Sequence, residues 1–154
     1  MTSYEEIFQM FLRRVQDHEI LKYNSAIRED LLENMLISAC SEISILAGDK
    51  DGLPELQRND DGKEFASDLS YQLKDVIVMG MVYLWCERCL NDTDNFVNVL
   101  SVNGLSQYSP ANLLSQLLSI RDNSKYNFEV RAIQCGNQIV GFRNLRPPKL
   151  ERTG

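Results

Sequence analysis

Hydrophobic residues recur every three or four positions over most of this chain, which is the pattern of amphipathic helices. The first predicted helix begins at Ser3, which has a glutamate three residues later in the spacing of a capping box, and ends near Asp17. The second begins at the pair Asn24-Ser25 and ends at Gly48, a residue type typical of a left-handed helix cap. The first half of the chain therefore predicts two helices.

A third helix is predicted from Ser67 or Asp68 to about Leu90. Positions 76–85 within it are apolar nearly all round, and this unbroken segment is longer than an ordinary buried strand. A helix that is apolar on all sides lies either at the centre of a protein or in a subunit interface. Between the second and third helices, residues 49–62 are polar and predict a surface loop.

The last predicted helix has the clearest start, because Ser109 is a favoured cap and Pro110 suits the first helical position. Its pattern extends to Gly136, and residues 138–142 predict one short strand. The remaining residues are basic, contain two adjacent prolines and have no folding pattern of their own.

These elements predict an all-α fold, a small bundle of four to five helices with an extended C-terminal tail and at most one short strand. The predicted domain covers residues 1–136 and the predicted basic tail covers residues 137–154. We expect the third and last helices to meet in a core that contains Ile77, Met81, Leu84, Trp85, Leu113, Leu114 and Leu117.

The composition is that of one globular domain: 154 residues, of which 44% are hydrophobic and 25% charged. A chain of this length buries enough surface to fold without disulfides or metals. No apolar stretch approaches the roughly 20 residues of a membrane span, and the acidic N-terminus lacks the basic region of a secretory signal. We expect a protein made in the cytoplasm, with no membrane partner.

The net charge of -6 is unevenly distributed. Residues 1–120 carry 9 basic and 19 acidic side chains, whereas residues 121–154 carry 7 basic and 3 acidic ones. The acidic body argues against a nucleic-acid-binding protein. The basic end suggests an acidic neighbour, either its own body or another chain, although a solvated basic end is the simpler alternative.

Candidate catalytic chemistry is sparse. The chain has one histidine and no phosphate-binding glycine loop, nucleophile elbow or zinc-protease helix. Cys86 and Cys89 have the spacing of half a zinc site or of a redox motif, but further ligands at suitable spacing and a βαβ context are missing. The acids of residues 49–62 lack the ligand spacing of a calcium loop. We expect no enzyme activity, no cofactor and no metal site.

The order of these helices, together with Tyr-Ser-Pro-Ala-Asn-Leu-Leu at positions 108–114, resembles the head–tail connector proteins of tailed bacteriophages, also called adaptor or head-completion proteins. The resemblance covers residues 3–125, and its most specific piece is the Tyr-Ser-Pro-Ala-Asn segment. Residues 137–154 depart from it, so any role for this extension is inferred separately.

The resemblance implies a structural virion protein at the phage neck. Such connectors form a homo-oligomeric ring, commonly of twelve subunits, that joins the portal protein to tail or stopper proteins. DNA passes through the ring without sequence-specific binding, and acidic walls would repel its phosphates. Glu29, Glu33, Glu42 and Asp75 are candidate acids for this channel.

Two sets of contact residues follow from these expectations. For the tail, the candidate partner-binding residues are Ile139, Val140, Phe142, Arg143 and Arg146. For the subunit interface, the candidates are Phe8, Phe11, Val78, Val82 and Tyr83. The alternative function is a small cytosolic helical adaptor or regulatory protein that binds a host factor. A nucleic-acid-binding regulator is a third hypothesis, which the lack of a basic helix weakens.

Overall fold

The computed structural model of the protein describes residues 1–15, 23–48, 52–91 and 110–144. Of these residues, 78% lie in four α-helices, which confirms the predicted all-α class. The helices are α1 (Tyr4–Val15), α2 (Ser25–Leu46), α3 (Tyr71–Asn91) and α4 (Pro110–Asn144). A 3₁₀ turn (Pro54–Leu56) and a two-stranded antiparallel hairpin, β1 (Arg58–Asn59) and β2 (Glu64–Phe65), connect α2 to α3.

The predicted helix starts of α1 and α2 are confirmed by their capping contacts. The amide of Glu6 donates to Ser3 Oγ at 3.3 Å, and the amide of Ala26 donates to the side-chain oxygen of Asn24 at 3.0 Å. Gly48, just beyond α2, has a φ of +74°, as expected for a left-handed cap.

Helix α3 begins at Tyr71, later than the predicted start at Ser67 or Asp68. The preceding residues are engaged by Thr2: its amide donates to the Ser67 carbonyl at 3.4 Å, and its Oγ1 accepts from the Leu69 amide at 2.9 Å. The cap is instead Ser70, whose Oγ accepts from the Leu73 amide at 3.2 Å. Because Thr2 holds residues 67–69 in these contacts, the helix begins only after them, at Tyr71.

The polar region before α3 has more structure than the predicted loop. Its described part, from residue 52 onward, contains the 3₁₀ turn and β1, and Asn59 accepts a hydrogen bond from the Gly62 amide at 3.1 Å to close the hairpin turn. The N-terminal segment adds to β2, because the Phe65 amide donates to the Thr2 carbonyl at 2.8 Å. Strands of two residues are too short to show the alternating pattern that predicts a strand.

Helix α3 is central, as its apolar sequence indicates, and contacts α1, α2 and α4. It runs antiparallel to α4, since Arg121 pairs with Glu87 at one end while Gln138 and Gln72 line the same groove at the other. Helices α2 and α4 run parallel. Ala39 of α2 and Phe128 of α4 both lie against Gly80, and eight residues further along each helix Ala47 meets Gly136.

Helix α4 is longer than predicted and contains Gly136. Gly136 does not end the helix; a Cβ there would lie 2.5 Å from Ala47 Cβ, so a glycine is needed where the helices cross. Helix α4 continues to Asn144, and the strand predicted at residues 138–142 is wrong. The first eight residues of the predicted extended tail are therefore helical, while residues 145–154 lie outside the described residues.

The predicted core is confirmed for Ile77 and Met81, both fully buried, while Leu84 and Trp85 are half-buried against the core. The side chains of Leu113, Leu114 and Leu117 lie outside the described part of the chain. From α4 the core instead receives Phe128, Ala132 and Cys135.

Candidate functional site

A cleft of about 690 Å³ lies between the C-terminal half of α2 and the segment that leads into the hairpin. Its α2 wall includes Ser41, Ser44 and Ile45, and the opposite wall includes Leu53 and Arg58. The Leu53 amide donates to Ser44 Oγ at 3.4 Å and joins the two walls. The cleft combines hydroxyl groups, apolar side chains and one guanidinium group.

A polar cluster lies at one end of the cleft. Tyr4, which is 1% exposed, donates its hydroxyl to the Asp60 carboxylate in the hairpin turn. The Nε atom of Arg58 lies 3.4 Å from the same carboxylate oxygen, and Arg58 also contacts the thiol of Cys40. This cluster connects α1, α2 and the hairpin.

Each ionisable group of the cluster is held in one protonation state. Burial raises the pKa of the Cys40 thiol to about 12, and burial together with the bond to Asp60 raises the pKa of Tyr4. The hydrogen bond from Tyr4, with the charge of Arg58, lowers the pKa of Asp60. At neutral pH the thiol and phenol are protonated and the carboxylate is ionised, an arrangement suited to holding the hairpin in place.

The other thiols lie in the helices. Cys86 and Cys89 are on α3, where Cys86 is buried and its pKa is raised by burial, and Cys135 of α4 is also buried. In the described part of the chain, no group of three or more His, Cys, Asp or Glu side chains is placed to hold a metal ion. Among the helices described, none combines the length and apolar character of a membrane span.

Three predicted interface residues require correction. Phe8, Phe11 and Val78 are buried in the core of this chain, so their side chains are not available to a neighbouring subunit. Val82 and Tyr83 are half-buried, and the Tyr83 ring stacks on Phe128 with their centroids 6.3 Å apart. The apolar residues chosen from the sequence pattern form the domain's own core because three helices surround α3.

The predicted tail contacts fall mostly outside what the structure describes. Ile139 is half-buried and packs against the core as part of α4. Val140, Phe142 and Arg143 are helical in backbone, but their side chains, and all of Arg146, lie outside the described residues.

The acids proposed for the channel are in two different environments. Glu33 is paired with Lys63, and Asp75 with Arg14. Glu29 and Glu42 are exposed on α2. Glu33 and Asp75 therefore form ion pairs within this chain, whereas Glu29 and Glu42 present their charge to the solvent.

Sequence reasoning missed the Tyr4–Asp60 contact. The two residues are 56 positions apart, and the Asp-Asp-Gly pattern at positions 60–62 indicates a turn but not its contact with α1. A comparison of the chain with family profiles, with curated proteins and with solved structures finds no match.

Proposed function

We propose that this chain is a structural subunit of a phage head–tail connector ring, which joins the portal protein to the tail and lets DNA pass. The proposal starts from the helix order and from the Tyr-Ser-Pro-Ala-Asn segment at positions 108–112, in which Pro110 begins the last helix. In this role the chain is not an enzyme, needs no cofactor and acts in the virion at the head–tail junction.

The observation that carries the proposal is the exposure of large apolar side chains on helices whose other sides are packed. Ile27 and Ile45 of α2 are 57% and 70% exposed, and Tyr126 and Ile133 of α4 are 68% and 43% exposed. Exposed apolar residues that share one side of a helix, as Tyr126 and Ile133 do on α4, are a feature of interaction sites. A subunit that assembles with its own copies would cover them.

The acidic charge is consistent with this role. Residues 1–120 carry ten more acids than bases, and exposed acids such as Glu29 and Glu42 would repel DNA phosphates along a channel. The basic residues after α4, among them Arg146, are the proposed contact with a neighbouring portal, tail or stopper protein.

Cryo-electron microscopy of the neck of the assembled particle tests the proposal. We expect this chain in a closed ring between portal and tail, with Glu29 or Glu42 toward the DNA. A chain placed elsewhere in the particle, or in no ring, would overturn the connector function. A stable complex of one or two copies with a host protein would instead support the helical adaptor.

A further inference from the structure

Helix α2 presents an uncharged row to solvent. The row has alternating steps of four and three residues, and apart from half-buried Leu31 its members are exposed: Ile27, Leu31, Asn34, Ser38, Ser41 and Ile45. We call this set the outer row of α2. The Ser41 hydroxyl donates to the Ile37 carbonyl at 3.1 Å, so this hydroxyl has its hydrogen-bond acceptor within the helix. Steps of four and three residues are the spacing by which one helix packs against another.

Helix α4 has a second row with the same spacing. Its members are exposed apart from half-buried Val130, and none is charged: Ser119, Asn123, Tyr126, Val130, Ile133 and Asn137. We call this set the outer row of α4. Each outer row spans 19 residues, or about 27 Å of helix. A solvated helix face ordinarily carries charged residues, so two such rows without charge indicate surfaces that are covered in the assembled protein.

The two outer rows do not face each other. Helix α2 meets Gly136 of α4 through Ala47, on the side of α2 opposite its outer row. Gly136 lies off the outer row of α4, and so does Phe128, whose ring lies against Gly80 of α3. One molecule therefore carries two different uncharged rows that face in different directions. This is the arrangement that head-to-tail association of identical subunits requires.

The residue sizes in the two rows are complementary. The outer row of α4 is bulky in the middle, at Tyr126, Val130 and Ile133, with small polar residues at its ends. The outer row of α2 is small in the middle, at Ser38 and its neighbours, with isoleucines at its ends. If the α4 rows of two copies paired, their large central side chains would collide, and if the α2 rows paired, their small central side chains would leave a gap. Packing of the α4 row on the α2 row therefore fills space best.

We infer that the outer row of α4 in one copy packs against the outer row of α2 in a second copy, head to tail. The inference rests on the proposed ring and identifies its subunit interface. Each copy keeps one face of each kind free, so association continues until the ring closes. Tyr126, the largest exposed side chain of the two rows, lies over Ser38 and its small neighbours.

The first test blocks each face separately in the full chain. Ser38→Arg blocks only the α2 face and Tyr126→Arg blocks only the α4 face; both positions are exposed, so the fold should persist. Sedimentation should show each variant alone as a monomer, while an equal mixture should give a dimer that cannot grow. Asn127→Arg, an exposed neighbour outside the row, is the matched control and should assemble like the parent chain.

Disulfide cross-linking shows which faces meet. Ser38→Cys and Tyr126→Cys are made as two separate proteins, mildly oxidised alone and mixed, with the parent chain as the background for its own cysteines. Head-to-tail packing predicts a cross-linked dimer in the mixture only. A dimer from the Tyr126→Cys protein alone would show symmetric α4 pairing and overturn the inference. The inference would also be overturned if the parent chain stays monomeric at submillimolar concentration and the mixture of the two cysteine variants gives no cross-link.

The inference and the proposed function fail in different ways. A ring at the particle neck without the mixed cross-link would keep the connector function and overturn this interface. Mixed cross-linking by a chain that is absent from the neck would keep the interface and overturn the connector function.

Discussion

Gly80 of α3 lies directly against the ring of Phe128 in α4: a Cβ atom on Gly80 would be 2.8 Å from Cε2 of that ring and 2.9 Å from the Cβ of Ala39. Three helices therefore meet closely at a residue without a side chain. Because Phe128 is only 1% exposed, its ring has little room to move away.

Gly80→Ala should accordingly lower the stability of the fold. Overpacking costs about 1–3 kcal/mol, while alanine in a helix gains about 1 kcal/mol over glycine, so we expect a net loss on the order of 1 kcal/mol. Urea unfolding measures the free energy of unfolding. Adding Phe128→Leu to Gly80→Ala should make the combined loss smaller than the sum of the single losses. A Gly80→Ala protein more stable than the parent would contradict the close contact.

Thr2→Val should destabilise the protein although it keeps the side-chain shape. Thr2 is 2% exposed and its Oγ1 accepts the Leu69 amide at 2.9 Å, so valine leaves a buried donor without its partner. Such a loss costs about 1–3 kcal/mol. Thermal unfolding should show the loss for Thr2→Val but much less of it for Thr2→Ser, which keeps the hydroxyl. Equal stability of all three proteins would show that the hydrogen bond contributes little.

Tyr4→Phe should raise the pKa of Asp60. The Tyr4 hydroxyl is the main cause that lowers this pKa, and the phenylalanine ring keeps the packing. A group whose pKa is lowered by folding contributes stability above its unfolded value, near 3.8, and loses that contribution as the pH falls through the folded value.

The Tyr4→Phe variant is best measured by carbon NMR titration of the Asp60 carboxyl, combined with urea unfolding at neutral and at acidic pH. The parent chain should be more stable than the variant near neutral pH, and the difference should shrink once Asp60 is protonated. Arg58 remains in place as a charge partner, so the pKa should rise only part of the way toward its ordinary value. An unchanged Asp60 titration would refute the assigned contact.

Cys40 should be alkylated much more slowly than an ordinary exposed thiol. The reactive form is the thiolate, and Cys40 is 1% exposed with a pKa raised by burial to about 12. With iodoacetamide at mildly alkaline pH, mass spectrometry should find Cys40, Cys86 and Cys135 protected in the native protein. In urea all of them should react quickly; fast native alkylation of Cys40 would show that the cleft opens around it.

The sequence by itself determined where α1 and α2 begin. Ser3 and Asn24 cap these helices through contacts with residues two or three positions away, and such local interactions are readable from short patterns. The left-handed conformation of Gly48 is local in the same sense. The all-α class follows because helical periodicity repeats along most of the chain.

Only the tertiary structure decided what distant residues do to one another. Gly136 has the sequence signature of a helix end, yet α4 continues through it, and a glycine stands there because Ala47 of α2 leaves no room for a larger side chain. The start of α3 at Tyr71 depends on Thr2, which is almost 70 residues away. Helices α2 and α4 carry apolar residues on more than one side, so periodicity alone cannot select the buried side; packing around α3 buries one side of each helix and leaves its outer row to solvent.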